Sequence, residues 1–263
     1  MNPPQRPLVF ITGASSGIGQ ALAWRFHQAG WRLALVARRQ AEMQAWAEQQ
    51  GLPSDAYALY AADVSVTDEI VAAGQACLQR QGLPDVVVAN AGISVGVDTA
   101  EREDLAVLAR IFATNNIGLA ATFHPFVAGM VRRRSGTLVG VGSVAGIRGL
   151  PGHGGYCASK AGVISYCESL RGEMRPFGVK VVTICPGYVD TPLTRQNRYG
   201  MPFLMTPEAF AERAYRAIIG GVRYRVIPWQ MGWVAALLRV LPNAWFDRLL
   251  AGRPRKHRQP SQG

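Results

Sequence analysis

Thr12-Gly13-Ala14-Ser15-Ser16-Gly17-Ile18-Gly19 follows an apolar run that starts at Leu8, and it opens directly into a segment of helical period carrying Ala21, Leu22, Trp24 and Phe26. Strand, glycine-rich turn and helix in that order make a unit whose backbone N–H groups can meet a phosphate. The three glycines let the chain turn sharply, bring the backbone close to a pyrophosphate and allow the helix to pack on the sheet. Ser15, Ser16 and Ile18 belong to the same turn and are candidate cofactor contacts with Gly13, Gly17 and Gly19.

Outward from this unit the pattern repeats. Apolar, β-branched runs at 8–12, 32–37, 56–61, 85–90, 136–141, 180–185 and 225–227 read as strands. Helical periods between them begin near Gly17, Arg39, Thr67, Arg102, Asn115, Gly155 and Thr206. Strands that are apolar on both faces and alternate with helices predict a doubly wound α/β fold around a parallel sheet. We expect one domain over 1–252, with 228–252 as an apolar and basic helical extension, and a mobile basic tail over 253–263.

The second predicted strand ends in Ala37-Arg38-Arg39. A dinucleotide enzyme using NAD places an acid there for the ribose hydroxyls, whereas the planar fork of arginine suits a 2′-phosphate. Arg38 and Arg39 therefore point to NADP(H). Tyr156-Cys157-Ala158-Ser159-Lys160 sets a tyrosine and a lysine one helical turn apart on one face. An ammonium in that position should lower the phenol pKa and let the pair exchange a proton with a carbonyl or alcohol oxygen. Ser143 closes the fifth predicted strand, at the edge where open α/β sheets bind ligands, and its hydroxyl can hold the same oxygen.

Taken together these motifs resemble the short-chain dehydrogenase/reductase family over 7–227. The resemblance implies a Rossmann-type sheet of seven parallel strands in the order 3-2-1-4-5-6-7, with helices on both faces and a C-terminal helical extension. It places the adenine-side aspartate at Asp63, followed by Val64, and the motif after the fourth strand at Asn90-Ala91-Gly92. It makes Asn115, Ser143, Tyr156 and Lys160 the catalytic group, with Asn115 holding a water that relays protons to the lysine and Lys160 also binding the nicotinamide ribose. Pro186, Gly187, Val189 and Thr191 fall on the nicotinamide-side loop. Ala89 departs from the pattern where many relatives have a second asparagine, which should loosen a structural hydrogen bond. The implied activity is NADP(H)-dependent reduction of a carbonyl, or oxidation of the alcohol, by a homodimer or homotetramer.

The segment 192–205 would be a substrate lid, and its Met201-Pro202-Phe203-Leu204-Met205 suits a hydrophobic substrate or an apolar underside. The alternative to an enzyme is a non-catalytic NADP-binding sensor or scaffold, which would have no reason to keep the four catalytic residues together. Cys77, Cys157, Cys167 and Cys185 show no metal-ligand spacing and are expected to be reduced structural thiols. The N-terminal stretch lacks a secretory pattern, so a cytoplasmic protein is expected.

The net charge of +11 is uneven. From Arg213 onward ten basic residues face one acid, Asp247. Within that region Trp229, Met231, Trp233, Val234, Leu237 and Leu238 form an apolar stretch too short to span a bilayer. It can pack on the protein or a dimer partner, or rest peripherally on a membrane; no groove-reading or base-stacking motif suggests nucleic acid.

Overall fold

The computed structural model describes residues 6–195, 197, 200–252 and 258. Its sheet has seven strands, ordered β3-β2-β1-β4-β5-β6-β7, and every pairing is parallel. The strands are β1 Leu8–Thr12, β2 Arg32–Ala37, β3 Tyr57–Ala61, β4 Val86–Ala89, β5 Thr137–Val141, β6 Lys180–Pro186 and β7 Tyr224–Ile227. The predicted order and orientation stand, with ends displaced by one residue or so. β4 is shorter than 85–90 because Asp85 turns its carboxylate to the Leu8 amide and Asn90 enters the turn beside Thr12.

Alternation along each strand divides the core in two. Val9 and Ile11 of β1 face α1 (Gly17–Gln28), α2 (Gln40–Gln49) and α7 (Pro207–Ile219), where Leu22, Phe26, Met43 and Phe210 are fully enclosed. Leu8 and Phe10 face α3 (Thr67–Arg80), α5 (Gly118–Arg133) and α6 (Gly154–Met174), meeting Ile70, Phe123 and Phe126. All four cysteines are buried with free thiols. Burial pushes the Cys77 and Cys167 thiols up to about 12, as expected of groups that pack rather than react.

One helical expectation needs correction. The helix set to start at Asn115 is continuous with α4 (Asp104–Phe112): a single π-helical turn, Ala113–Ile117, joins α4 to α5. The run 104–133 is long and apolar enough to cross a bilayer by length and composition, yet Leu119, Phe123, Phe126 and Met130 are spent on the sheet. The predicted C-terminal extension is two helices, α8 (Trp229–Val240) and α9 (Asn243–Leu250). Of the predicted mobile tail, 253–257 and 259–263 lie outside the described residues. The one described residue of that segment, Arg258, pairs through its guanidinium with buried Asp104 at 2.7 Å.

The chain order reverses between β1 and β4, and the loops leaving the carboxyl ends of the strands on either side of that point form one cleft of about 460 Å³.

Candidate active site

At one end of the cleft lies the glycine turn. Gly13 and Gly17 take φ of +68° and +57°, which only glycine adopts without strain. Gly17 also lets the loop after β6 come close, since a Cβ there would lie 3.0 Å from the Thr191 methyl group. Gly19 has a different task. It lies outside the cleft wall, and a Cβ on it would be 2.2 Å from the Gly13 carbonyl oxygen, so its bare Cα seats α1 against the turn. Ser16, the N-cap of α1, makes no side-chain capping bond, and the first turn of α1 holds no acid. The helix N-terminus thus presents unsatisfied N–H groups and positive potential to the cleft, as a pyrophosphate requires. Ser15, Ser16, Gly17 and Ile18 line it.

Thr12 supports this turn, and the motif reading passed over it. Its hydroxyl accepts the amides of Asn90 and Ala91, while Asn90 Nδ2 donates to the Thr12 carbonyl at 3.0 Å. Asn90 therefore ties β4 to the turn as well as bordering the cleft with Ala91 and Gly92. Only the context of strand end and glycine turn in the sequence could have flagged Thr12.

Arg38 and Arg39 flank the adjacent wall. Arg39 Nη2 donates to Ser15 Oγ at 3.4 Å and pairs with Glu42 at 3.0 Å. Arg38 lies 3.5 Å from the Asp63 carboxylate and keeps most of its side chain in solvent. Arg39 thus meets the phosphate-binding turn at its outer rim and Arg38 lines the same cleft, both exposed enough for their guanidinium groups to reach a further phosphate. Partial burial would raise the Asp63 pKa, but the Ser65 hydroxyl and amide and nearby Arg38 outweigh it and hold the carboxylate below its usual range. Val64 follows Asp63 along the wall. Bare glycines, an uncapped helix N-terminus and arginines beside them form a donor set that the phosphates of a dinucleotide would fit.

At the other end, Ser143, Tyr156 and Lys160 line the same cleft. Ser143 leaves β5 in extended conformation, accepts the Ala145 amide at 3.1 Å and also bonds the Tyr156 hydroxyl. Tyr156 and Lys160 lie in the first two turns of α6, as their spacing predicts. The expected electrostatics do not appear. Burial pushes the Tyr156 hydroxyl up to about 12, against the Ser143 hydrogen bond that pulls it down. Burial also brings the Lys160 amine down to about 8, with the Cys185 and Cys167 thiols acting the other way. Lys160 Nζ stands 5.9 Å from the Tyr156 ring centre and donates to the Val141 carbonyl at 2.8 Å. Desolvation dominates at Tyr156, and the amine one turn on is directed to the Val141 carbonyl, so the sequence-based expectation of a lowered tyrosine pKa is corrected for the cleft by itself.

Asn115 sits behind this wall, not in it. Its Oδ1 accepts the Ile93 amide at 2.8 Å, and its Nδ2 donates to the Ile93 carbonyl and to Ser159 Oγ. Both amide hydrogens are committed, which leaves an Oδ1 lone pair and the main-chain carbonyl as acceptors for a relay water. A Cβ on Gly92 would lie 3.2 Å from Asn115 Oδ1 and 3.3 Å from Lys160 Nζ, so asparagine and lysine crowd the same bare backbone. The π turn that holds Asn115 is the kind of helix defect found at functional sites.

Pro186, Gly187, Val189 and Thr191 continue the wall after β6. Met205 bridges back to Val189, closing the base of the predicted lid. The apolar end of that segment does not face the cleft: Phe203 and Leu204 are exposed and Met205 joins the core. Ile93, Val95 and Leu193 are among the apolar residues that do line the cleft. His153 is buried, with its ring nitrogen 3.1 Å from the Pro151 carbonyl.

Residues 7–201 match the family model for short chain dehydrogenases. The chain belongs to the short-chain dehydrogenase/reductase family. Within it, a Myxococcus xanthus protein named "Uncharacterized oxidoreductase" is 38% identical over 237 residues, covering 90% of this chain and 93% of its own. A sulfoacetaldehyde reductase of Chromohalobacter salexigens is 34% identical, with 92% and 91% covered. Among solved structures, a short-chain dehydrogenase from Sphingobium yanoikuyae in complex with NADPH superposes with a TM-score of 0.76 at 25% identity, over 90% of this chain and 97% of that one. As a member of this family, the protein is an oxidoreductase of the Rossmann-type fold with a nucleotide-binding cleft.

Proposed function

We propose that the protein is an NADP(H)-dependent reductase that converts a carbonyl on a small, predominantly apolar substrate to the alcohol, and runs the reverse oxidation when the alcohol is in excess. The observation that carries this reading is a single cleft with two arginines beside the phosphate-binding turn at one end and Ser143, Tyr156 and Lys160 at the other. The NADPH complex of the Sphingobium relative supports the choice of cofactor.

Bound NADPH supplies the hydride. Ser143 holds the substrate oxygen with its hydroxyl, and Tyr156 donates the proton that this oxygen takes up as the carbonyl carbon is reduced. Lys160 holds the nicotinamide ribose, and its ammonium stabilises the tyrosinate left behind. A water on Asn115 refills the proton. Ile93, Val95 and Leu193 favour an apolar flank on the substrate.

The test is NADPH oxidation with aldehydes, ketones, quinones, 3-oxoacyl thioesters and steroids, using Tyr156→Phe as the control. Turnover that the variant loses while still binding NADPH supports the reading. Tight NADPH binding by both proteins without turnover across the panel would overturn it in favour of a cofactor sensor.

A further inference from the structure

Helix α8 turns the wrong face outward for a helix that ends in water. Met231 and Ala235 are buried, whereas Trp229, Trp233, Leu237 and Val240 form a stripe at helical spacing, with Trp233 73% and Val240 77% exposed. α9 repeats the pattern: Phe246 and Leu250 are buried, and Trp245 and Leu249 are exposed. A surface helix ordinarily sets polar residues there, and an exposed apolar patch with a charged rim marks an interaction surface.

The rim is cationic. Trp229, at the start of α8, also lines a cleft of about 280 Å³ with Arg213, Arg216 and Arg225. Arg216 is paired with Glu212, but Arg213 and Arg225 have no carboxylate partner among the described residues. Arg239 and Arg248 flank the stripe itself. Beyond Glu212 the chain contains a single acid, Asp247. A second copy docked by two-fold symmetry through this patch would set guanidinium groups against their own copies. An anionic surface meets the arginines and the tryptophans together, because indole prefers the boundary between acyl chains and headgroups. At about 1.5 Å per residue, the 12 residues of α8 are too short to cross a bilayer, so the contact is peripheral.

We propose that the α8–α9 face docks the protein on anionic phospholipid surfaces, with the exposed tryptophans at the headgroup boundary and the Arg213–Arg225 cleft taking a headgroup phosphate. This reading is independent of the reductase activity.

The experiment is flotation of the full chain with vesicles of phosphatidylcholine alone and of phosphatidylcholine mixed with phosphatidylglycerol, at low and high salt, with light scattering on the protein by itself. Binding to the mixed vesicles alone, weakened by salt, is expected. Trp233→Ser with Trp245→Ser should cut it at least about tenfold, and Arg213→Gln with Arg225→Gln by about fivefold for each charge removed. Both pairs are exposed, so fold and NADPH binding should be unchanged, which a melting curve and a cofactor titration confirm. Inorganic phosphate that competes with the vesicles at millimolar concentration and binds equally well to the tryptophan variant would reduce the site to a free-anion pocket and overturn the proposal. So would a stable dimer that Trp233→Ser dissociates, without vesicle binding by either form.

Discussion

Lys160 donates to the Val141 carbonyl at 2.8 Å, so the amine is anchored to the end of β5 rather than to the tyrosine one turn before it. Burial brings this amine down to about 8, and the proton it carries is lost within an accessible pH range. Above that value the ammonium that the proposed reaction uses to stabilise the tyrosinate is gone. We therefore expect kcat/KM for carbonyl reduction to fall on the alkaline side with an apparent pKa near 8. A pH profile of Lys160→Met checks the assignment: its residual activity should lack that limb.

The same group links to stability with a definite sign. The unfolded chain keeps the proton up to an ordinary value of 10.5, whereas the folded chain releases it near 8. Lys160 thus opposes folding at neutral pH, and the penalty fades as pH rises from 8 towards 10.5. Denaturant titrations of wild type and Lys160→Met should show a stability advantage for the variant that shrinks across this window.

Arg38→Ala should weaken NADPH binding by about ten- to a hundredfold, the usual worth of a charge-assisted hydrogen bond, and leave NADH nearly unaffected. Fluorescence titration with both cofactors measures the ratio. Equal losses for both would mean that Arg38 only shapes the wall.

Gly19→Ala places a methyl group where the Gly13 carbonyl oxygen already sits, 2.2 Å from the ideal position. The turn must shift, at a cost of about 1–3 kcal/mol. Urea unfolding and cofactor affinity should both suffer, although Gly19 never faces the cleft.

Arg148 closes the C-terminal extension. It donates to the carbonyls of Leu238 and Leu241 and to Asn243, and its guanidinium covers the Phe246 ring at 3.8 Å. A cation on the last carbonyls of α8 stabilises that helix end. Arg148→Ala should accelerate hydrogen exchange in α8 and α9 by about tenfold or more while β1–β6 stay protected.

The sheet was legible because each strand is a short run of apolar residues bounded by helical periods, and Gly13-to-Gly19 with Arg38 marked the switch point. Tyr156 and Lys160 were legible because four residues is one helical turn. What spacing could not supply was environment. That Asn115 turns its amide to Ile93 and Ser159, or that burial raises the Tyr156 pKa, depends on which elements close around them. Of the two readings open for the apolar end of the lid, Met205 in the core fits packing beneath it, while Phe203 and Leu204 do neither. Thr12 and Arg148 were silent for the same reason, since their partners lie 76 or more and 90 or more residues away.

Arg148 lies between Ser143 and Tyr156, and its partners are near the chain's far end. The segment joining serine to tyrosine is therefore braced from two sides, by the Lys160 main chain against Gly146 and by the C-terminal helices through Arg148, so losing α8 and α9 would remove one of its two supports.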